Sequence, residues 1–280
     1  MTGAPRRDDR ARHHHGFVLA LPMTSGRPPT MNKAREFLAP FHTIDANGRV
    51  RITAEQASRF AKDVAGDHNP LHDVGTRRFC VPGDLLFALV LLRSGLSGRM
   101  TFGFRDMVGA DESIHIPATD ANRIVVENAE GGTCLDVERE GPISNDGSTI
   151  GGFIREYVAF SGKTFPHYMI PVMRDNGVMF HPDRPLVIYD SMGFELDHLD
   201  LQRPKLELSE PSMDVAGKRG EMVMRFNISA DGRPAGKGWK KLLISGLREY
   251  DEARMETFVE EFYRRRAAYE EGRDAGDSEH

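Results

Sequence analysis

The segment GDHNPLH, at residues 66–72, combines residue types that can carry out acid–base chemistry. Asp67 and His72 are five residues apart, and Pro70 restricts the backbone between them. Histidine titrates near neutral pH, and a carboxylate beside it can orient and activate it. One bend in the chain can therefore turn both side chains toward a single water molecule. A second interpretation stays open, because Asp and Asn before proline also form an ordinary turn at a helix end.

Helix signals flank this segment on both sides. The preceding helix has a capping-box spacing that starts at Thr53, and Gly66 is expected to stop it. The following helix is predicted to begin at Pro82 and Asp84 and to continue through the apolar run LLFALVLL at residues 85–92. Because this second helix is apolar nearly all round, we expect other elements to wrap it.

Strand patterns follow the apolar helix. Alternating segments separated by turn residues predict strands near residues 101–104, 113–116, 122–127 and 133–139. The rest of the chain repeats this order, with a helix predicted between Lys163 and Gly177 and strand-like segments after it. The pattern therefore predicts an α+β protein with two halves, each a helix wrapped by an antiparallel sheet, with one site per chain near their junction.

The predicted division of the chain has four parts. The first half covers residues 31–160 and the second half covers 161–250. Residues 251–280 are predicted to form an amphipathic helix with a loose tail beyond Gly272. Residues 1–30 are rich in Arg, Gly and Pro without a sustained period, so we expect a disordered extension or a start codon assigned too early.

The composition argues against several classes of protein. The chain is 39% hydrophobic and 28% charged, with a formal net charge of −5, so no basic excess favours nucleic acid. Its two cysteines, Cys80 and Cys134, have no zinc-type spacing and predict no disulfide framework. The run at 85–92 is too short to span a bilayer. We therefore expect a cytoplasmic protein without a metal.

Parts of this sequence resemble a known family. Four residues match the D-x-N-P-x-H signature of the MaoC-like hydratases, which are R-specific enoyl-CoA hydratases of the hot-dog fold: Asp67, Asn69, Pro70 and His72. VPGDLL at 81–86 is similar to the V-H-G-M-L-L that opens that family's central helix. The stretch RFCVPGDLLFALVL also resembles an uncharacterised bacterial family, a domain of unknown function related to MaoC. The resemblance covers Thr53 to Gly98 and implies a hot-dog fold, doubled here by the repeated order of elements.

The resemblance also implies an activity. In the hydratases the Asp and His hold a water, one residue removing its proton while the other delivers a proton to the substrate's α carbon. On this basis Asp67 and His72 are the catalytic candidates. The substrate-binding candidates are Asn69, which would hold the loop, Gly83, whose amide would stabilise the thioester oxyanion, and Asp84. The implied partner is an acyl-CoA or acyl-carrier-protein thioester, without a cofactor, nucleic acid or membrane, and a homodimer is left open.

The sequence departs from the hydratase pattern at the start of the helix. Pro82 stands where the family has histidine, and Asp84 stands where it has a hydrophobic residue. A carboxylate there would oppose the oxyanion by about 1 kcal/mol even at the dielectric of water. The connection from His72 to Gly83 is also shorter than in the family. His68, inside the motif, is expected to be exposed.

Two alternatives to a hydratase follow from these departures. One is a hot-dog acyl-CoA thioesterase in which Asp84 acts as base or nucleophile. The other is a non-catalytic protein that binds acyl thioesters or mediates interactions. Asp84 discriminates among the three, since it disfavours the hydratase, is required by the thioesterase and is neutral for the binding protein.

Overall fold

The computed structural model of the chain describes residues 31–181 and 184–277. The extension predicted at residues 1–30 lies outside the described residues. The α-helices are α1 (Met31–Leu38), α2 (Ala54–Arg59), α3 (Gly83–Ser94), α4 (Gly147–Lys163), α5 (Met169–Asp175) and α6 (Glu252–Asp277). The strands are β1 (Thr43–Ile44), β2 (Val50–Arg51), β3 (Leu96–Phe104), β4 (Ile114–His115), β5 (Arg123–Asn128), β6 (Thr133–Ser144), β7 (Val178–Met179), β8 (Leu186–Leu196), β9 (Pro204–Ala216), β10 (Arg219–Ala230), β11 (Arg233–Ser245) and β12 (Arg248–Glu249).

One antiparallel sheet of ten strands dominates the described part of the chain. Its order is β1-β2-β4-β5-β6-β3-β8-β11-β10-β9, and β7 pairs with β12 in a separate ribbon. β3 pairs with β8 at the centre, where Met100 lies opposite Phe194, and this pairing joins the strands of the two halves. The two halves therefore share one continuous sheet.

The long helices α3 and α4 pack together against this sheet. Phe87 of α3 stacks on Tyr157 of α4 with ring centroids 4.4 Å apart, and both rings contact Phe194 of β8. All three side chains are at most 2% exposed. A central helix against an antiparallel sheet in each half is the double hot-dog arrangement, so the predicted α+β fold class is confirmed.

The helix α3 is buried on every side, as its composition predicts. Each side chain from Leu85 to Leu92 is at most 7% exposed. Pro82 precedes the first turn, and Gly95, with a φ of +85°, follows the last residue. Burial of each large apolar side chain of this run contributes about 1.5–3 kcal/mol, so the position of α3 is strongly determined.

The helix before the GDHNPLH segment has the predicted start and end. The Thr53 side chain accepts from the backbone N–H of Gln56, and the Gln56 side chain accepts from that of Thr53, which is a capping box. The helix continues as a π-helix over Phe60–Ala65 and ends at Gly66, whose φ of +68° is left-handed. Asp67 follows directly, so the helix end positions the first acid–base residue.

The wrapped helix of the second half is not the one that the sequence pattern predicted. Residues 163–177 form an irregular turn at Thr164–Tyr168 and the short helix α5, whereas the long helix is α4. No helix was predicted over most of α4, whose glycines have a low helix propensity, and Gly162 is needed for packing. A Cβ on Gly162 would lie 2.1 Å from the carbonyl oxygen of Ala65. Close packing outweighs the low helix propensity of glycine.

The limits of the two halves follow from α4. This helix crosses the predicted boundary between residues 160 and 161, and β6, the last strand before it, ends at Ser144. We propose that the second half begins at Asp146, whose side chain caps α4 by accepting from the N–H of Thr149. At the other end, α6 continues beyond Gly272 to Asp277, where a loose tail was predicted.

Candidate active site

A cavity of about 710 Å³ lies between the two halves and beneath α6. Its interior is mostly apolar, and both halves contribute. The apolar lining side chains include Val81, Leu86, Phe104, Val108, Phe165, Phe180, Val187, Ile188, Leu242, Phe258 and Phe262. Asp67, Asn69, His72 and Gly83 lie on the wall of this same cavity. A cavity of this size and polarity suits a small, largely apolar ligand.

Asp67 and His72 face each other on this wall. Nε2 of His72 lies 3.7 Å from Oδ2 of Asp67, and both side chains keep some exposure, 10% and 23% respectively. That distance exceeds a direct hydrogen bond, but a single water molecule in the cavity can contact both groups. The five-residue spacing therefore brings the two side chains together as predicted.

The second nitrogen of His72 fixes the orientation of the ring. Nδ1 lies 2.7 Å from the carbonyl oxygen of Cys80, and a carbonyl can only accept, so Nδ1 carries a proton and donates it. Nε2 is the nitrogen that faces Asp67. A neutral His72 would therefore present a lone pair, and a charged one would present a proton, at the position where water can bind.

The carboxyl group of Asp67 is perturbed by its surroundings. Burial has the largest effect and raises its pKa, while His72 and the backbone N–H of Asn69 act in the opposite direction. A raised pKa increases the protonated fraction of Asp67 at any given pH, so this carboxyl can act as an acid as well as a base.

The turn chemistry of the motif holds this pair in place. Oδ1 of Asn69 accepts from the N–H of Leu71 at 3.1 Å, and the N–H of Asn69 donates to Oδ1 of Asp67 at 2.9 Å. Pro70 to His72 form one tight helical turn. GDHNPLH is thus both a helix stop with a turn and the support of an acid–base pair. Asn69 holds the Asp67 carboxylate through its backbone N–H.

Gly83, the first residue of α3, also lies on the cavity wall. Within the described residues no hydrogen-bond partner is found for its backbone N–H. A Cβ at this position would lie 2.9 Å from the ring of Phe104, so only glycine fits without a shift of that ring. A free N–H at the positive end of a helix can bind developing negative charge.

Asp84 does not occupy the position that the sequence suggested. It does not belong to the cavity wall, its side chain is 3% exposed, and its Oδ1 lies 3.0 Å from Nζ of Lys240. The sequence-based roles as substrate-binding residue or as free base are therefore not supported, because the carboxylate is buried and neutralised by a cation. The residue turns inward because the first turn of α3 faces β11 of the second half.

Sequence reasoning missed Lys240 and two hydroxyl residues near it. Lys240 is fully buried and donates to Ser161 Oγ at 2.6 Å, and Ser161 and Tyr189 both line the cavity. One signal was available: in β11, Lys240 shares the inward face with Leu242 and Ile244, where a strand normally carries apolar residues. A lysine in register with an apolar face predicts a buried partner.

The thiol of Cys80 is not a candidate nucleophile, although this residue lines the cavity. Burial raises the pKa of Cys80 to about 11. The thiolate is the reactive form of cysteine, and at neutral pH it would be scarce here. The backbone of Cys80, which orients His72, is the part that contributes to the site.

The helix α6 covers the cavity. Phe258 and Phe262 enter its lining, and Tyr269 lies at the rim. The hydroxyl of Tyr269 donates to Asp63 at 3.0 Å, and Arg265 forms an ion pair with Asp73. These contacts connect α6 to both sides of the GDHNPLH segment, so the cover and the acid–base loop form one unit.

His68, expected to be exposed, is buried under α6. Its ring lies 5.9 Å from that of Phe262 and 5.8 Å from that of Tyr269, and the residue is 7% exposed. Burial lowers its pKa, and the charges of Arg266 and Lys62 lower it further. The exposure prediction was wrong because the C-terminal helix returns to the motif, which local sequence cannot indicate.

Most of the chain matches one known protein family. The family model described as "Protein of unknown function (DUF3581)" matches residues 36–253, which leaves nearly all of α6 outside the match. No curated protein matches the sequence. No helix among the described residues is both long and apolar enough to cross a bilayer.

Several solved structures resemble the chain distantly. An acyl-CoA thioesterase II, TesB2, from Mycobacterium marinum has 8% identity and a TM-score of 0.35, with 77% of this chain and 98% of that chain covered. A 12:0-ACP thioesterase from Umbellularia californica has 9% identity and a TM-score of 0.30, with 72% and 90% covered. A protein assigned as a thioesterase II from Thermobifida fusca YX has 11% identity and a TM-score of 0.38, with 76% and 97% covered. Likenesses this distant do not bear on the chemistry of this chain.

Proposed function

We propose an activity for this chain, which belongs to the family of proteins of unknown function DUF3581, from the residues that line its cavity. The activity is the addition of water to an acyl thioester, and the preferred reaction is hydration of a trans-2-enoyl thioester, as in the MaoC-like hydratases that its motif resembles. The observation that carries the proposal is the Asp67–His72 pair, 3.7 Å apart on the wall of an apolar cavity beside the start of α3.

The acid–base step follows from the geometry of the pair. A water held by Asp67 and His72 loses a proton to one of them as its oxygen forms a bond to the β carbon of the enoyl group. The electrons of the double bond move toward the thioester, and the other residue delivers a proton to the α carbon. Water is thereby added across the double bond, and the pair ends with the same number of protons.

The negative charge that develops on the thioester oxygen needs a donor. The free N–H of Gly83 at the positive end of α3 can supply it. The charge of Asp84, the next residue in the chain, was expected to oppose this oxyanion. Its ion pair with Lys240 offsets that effect, because the two charges lie 3.0 Å apart and act on the site as a dipole.

The cavity fits an acyl chain carried by coenzyme A or by an acyl carrier protein. Its volume of about 710 Å³ and its aromatic and aliphatic wall suit a hydrocarbon chain. Charged side chains, including Lys62, Arg105 and Arg265, are part of the same lining and suit the polar carrier. Either carrier is compatible with these features.

Thioester hydrolysis is the second candidate. Here the Asp67–His72 pair would activate the water, in place of the Asp84 base suggested by the sequence. Asp67 and His72 would activate a water whichever carbon lies in front of it, whereas Asp84 is held by Lys240 behind the wall. The reaction then depends on whether the β carbon or the carbonyl carbon is nearest to the pair. A protein that binds acyl thioesters without turnover is the remaining alternative.

One set of assays separates these activities. Purified protein is incubated with crotonyl-CoA, which can be hydrated, and with butyryl-CoA, which can only be hydrolysed, and hydroxyacyl product and free thiol are measured. We expect hydroxyacyl product from crotonyl-CoA and little thiol from either substrate. Thiol release from butyryl-CoA that depends on Asp67 would favour hydrolysis, and binding without either product would leave only the non-catalytic alternative.

A further inference from the structure

The buried cation Lys240 organises a polar cluster whose hydroxyl groups have no role in the reaction proposed above. Its side chain has no exposure, and Nζ lies 3.0 Å from Asp84 Oδ1, 2.9 Å from the carbonyl oxygen of Tyr157 and 2.6 Å from Ser161 Oγ. An ammonium group has three N–H donors, and these three acceptors satisfy them all. Ser161 Oγ therefore accepts from Lys240, which leaves the Ser161 hydroxyl proton available to another acceptor.

The position of Ser161 places this hydroxyl near the acid–base pair. The next residue, Gly162, approaches Ala65 and Gly66 so closely that a Cβ would lie 2.1 Å from the carbonyl oxygen of Ala65. Asp67 is the next residue after that contact. Ser161 also lines the cavity, so it belongs to the same wall as Asp67.

Tyr189 is the second hydroxyl of the cluster. It lines the cavity, and its ring centroid lies 5.6 Å from Nζ of Lys240 and 6.4 Å from the ring of Phe104. Phe104 is the residue that packs against Gly83. Burial raises the pKa of Tyr189 well above its usual value, and a hydrogen bond with Ser161 acts in the opposite direction. Tyr189 thus stays a neutral phenol that can donate near the start of α3.

We propose that Tyr189 is a hydrogen-bond donor to the thioester carbonyl oxygen of the bound substrate, with Ser161 and Lys240 as the positioning residues behind it. This inference rests on the proposed function only in requiring an acyl thioester as ligand. Lys240 donates to Ser161. In this proposal the remaining Ser161 proton is donated to the phenol oxygen, and the phenol proton is donated to the ligand. Each link polarises the next, which strengthens the final donor.

The cost of the cluster supports a functional role. Burying a lysine and an aspartate together costs several kcal/mol per ion before their attraction is counted, and apolar residues of similar size often stabilise as well or better. Stability alone therefore does not account for Lys240 and Asp84 beside this cavity. An oriented donor at a developing negative charge would account for them.

The vibrational frequency of the substrate carbonyl tests the contact without turnover. Crotonyl-CoA labelled with ¹³C at the carbonyl is bound to the Asp67→Asn variant, and its C=O stretch is measured by isotope-edited infrared spectroscopy. Hydrogen bonds lower this frequency, so we expect a downward shift on binding. Tyr189→Phe should remove much of the shift, Ser161→Ala should reduce it, and the control Tyr168→Phe, a hydroxyl removed outside the cavity wall, should leave it unchanged.

Two outcomes would overturn the inference. One is a frequency shift that is the same with and without the Tyr189 hydroxyl. The other is no frequency shift, or no binding, in the Asp67→Asn protein that keeps Tyr189. A kinetic readout runs in parallel: Tyr189→Phe should lower kcat by about a hundredfold with little change in KM, as for loss of one oxyanion donor. A frequency shift that depends on Tyr189, together with no turnover by the wild-type protein, would keep this inference and reject the proposed function. The two can therefore fail separately.

Discussion

Nζ of Lys240 lies 3.0 Å from Oδ1 of Asp84, 156 positions earlier in the chain. Lys240 is in β11 of the second half and Asp84 is in the first turn of α3 in the first half. Both side chains are almost fully buried. This ion pair therefore connects the two halves behind the cavity, and it gives Asp84 a role different from the one its position in the sequence suggested.

Removal of Asp84 should destabilise the protein. Asp84→Met leaves the Lys240 ammonium buried without its partner, and breaking such a pair costs about 3–5 kcal/mol. The loss should appear as a lower free energy of unfolding in urea. The control is Glu140→Gln, which breaks an exposed pair with Arg99 and should cost less than about 1 kcal/mol. The double variant Asp84→Met/Lys240→Met should recover much of the loss, and equal stabilities of Asp84→Met and the control would contradict this account.

The acid–base pair should control the rate. Asp67→Asn and His72→Ala should each lower hydration of crotonyl-CoA by at least about a hundredfold, the low end for losing an acid–base group. Circular dichroism should show that both variants keep the fold. His115→Ala, which changes an exposed histidine of β4, is the matched control and should keep the wild-type rate. Full activity in Asp67→Asn would assign the chemistry to other residues.

Asp67→Asn should also change the pH dependence of stability. The pKa of Asp67 is raised in the folded state, so the folded protein binds more protons than the unfolded chain above the unfolded pKa of about 4, and stability falls as pH rises through this window. Asp67→Asn has no carboxyl group at this position and therefore does not lose this stability as the pH rises. Urea unfolding should therefore show Asp67→Asn as more stable than wild type at pH 7, with the difference vanishing as the pH falls below about 4. A constant difference at both pH values would mean that Asp67 does not titrate with a raised pKa.

Gly83 should tolerate no side chain. Its Cβ would lie 2.9 Å from the Phe104 ring, so Gly83→Ala should move that ring or the start of α3. We expect at least about a hundredfold lower kcat, because the displaced N–H no longer points at the oxyanion, with a smaller effect on the melting temperature. Gly272→Ala in α6, where a Cβ meets nothing within 4 Å, is the control. Unchanged kcat in Gly83→Ala would mean that close packing on Phe104 does not set the position of this N–H.

The cover helix α6 should influence acyl-chain recognition. Phe262 lines the cavity, and its ring lies 4.9 Å from that of Phe165. Phe262→Ala therefore removes part of the apolar wall and opens the cavity to solvent. KM for an octenoyl thioester should rise more than KM for crotonyl-CoA, because the longer chain reaches more of that wall. Tyr263→Ala changes the neighbouring side chain, which is 41% exposed and outside the lining, and should affect neither value. An equal change of both KM values in Phe262→Ala would place the chain elsewhere.

Local sequence was sufficient for several elements of the fold and for the acid–base pair. The capping box at Thr53, the left-handed stop at Gly66 and the all-apolar helix α3 depend on residues within a few positions of one another, so their patterns predict them directly. Asp67 and His72 meet for the same reason, since one turn at Pro70 brings them together. The assignment of this pair to catalysis stays a prediction until it is tested.

The rest required the tertiary structure. No helix was predicted over most of α4, yet this helix packs so closely on Ala65 at Gly162 that a side chain would not fit there. Lys240, Ser161 and Tyr189 surround the start of α3 only because β11, α4 and β8 fold against it from the second half. His68 is buried because α6 returns to the motif from nearly two hundred residues away. Periodicity and capping describe neighbours along the chain, whereas the charge balance and the covering of this cavity depend on packing between segments that are distant in sequence.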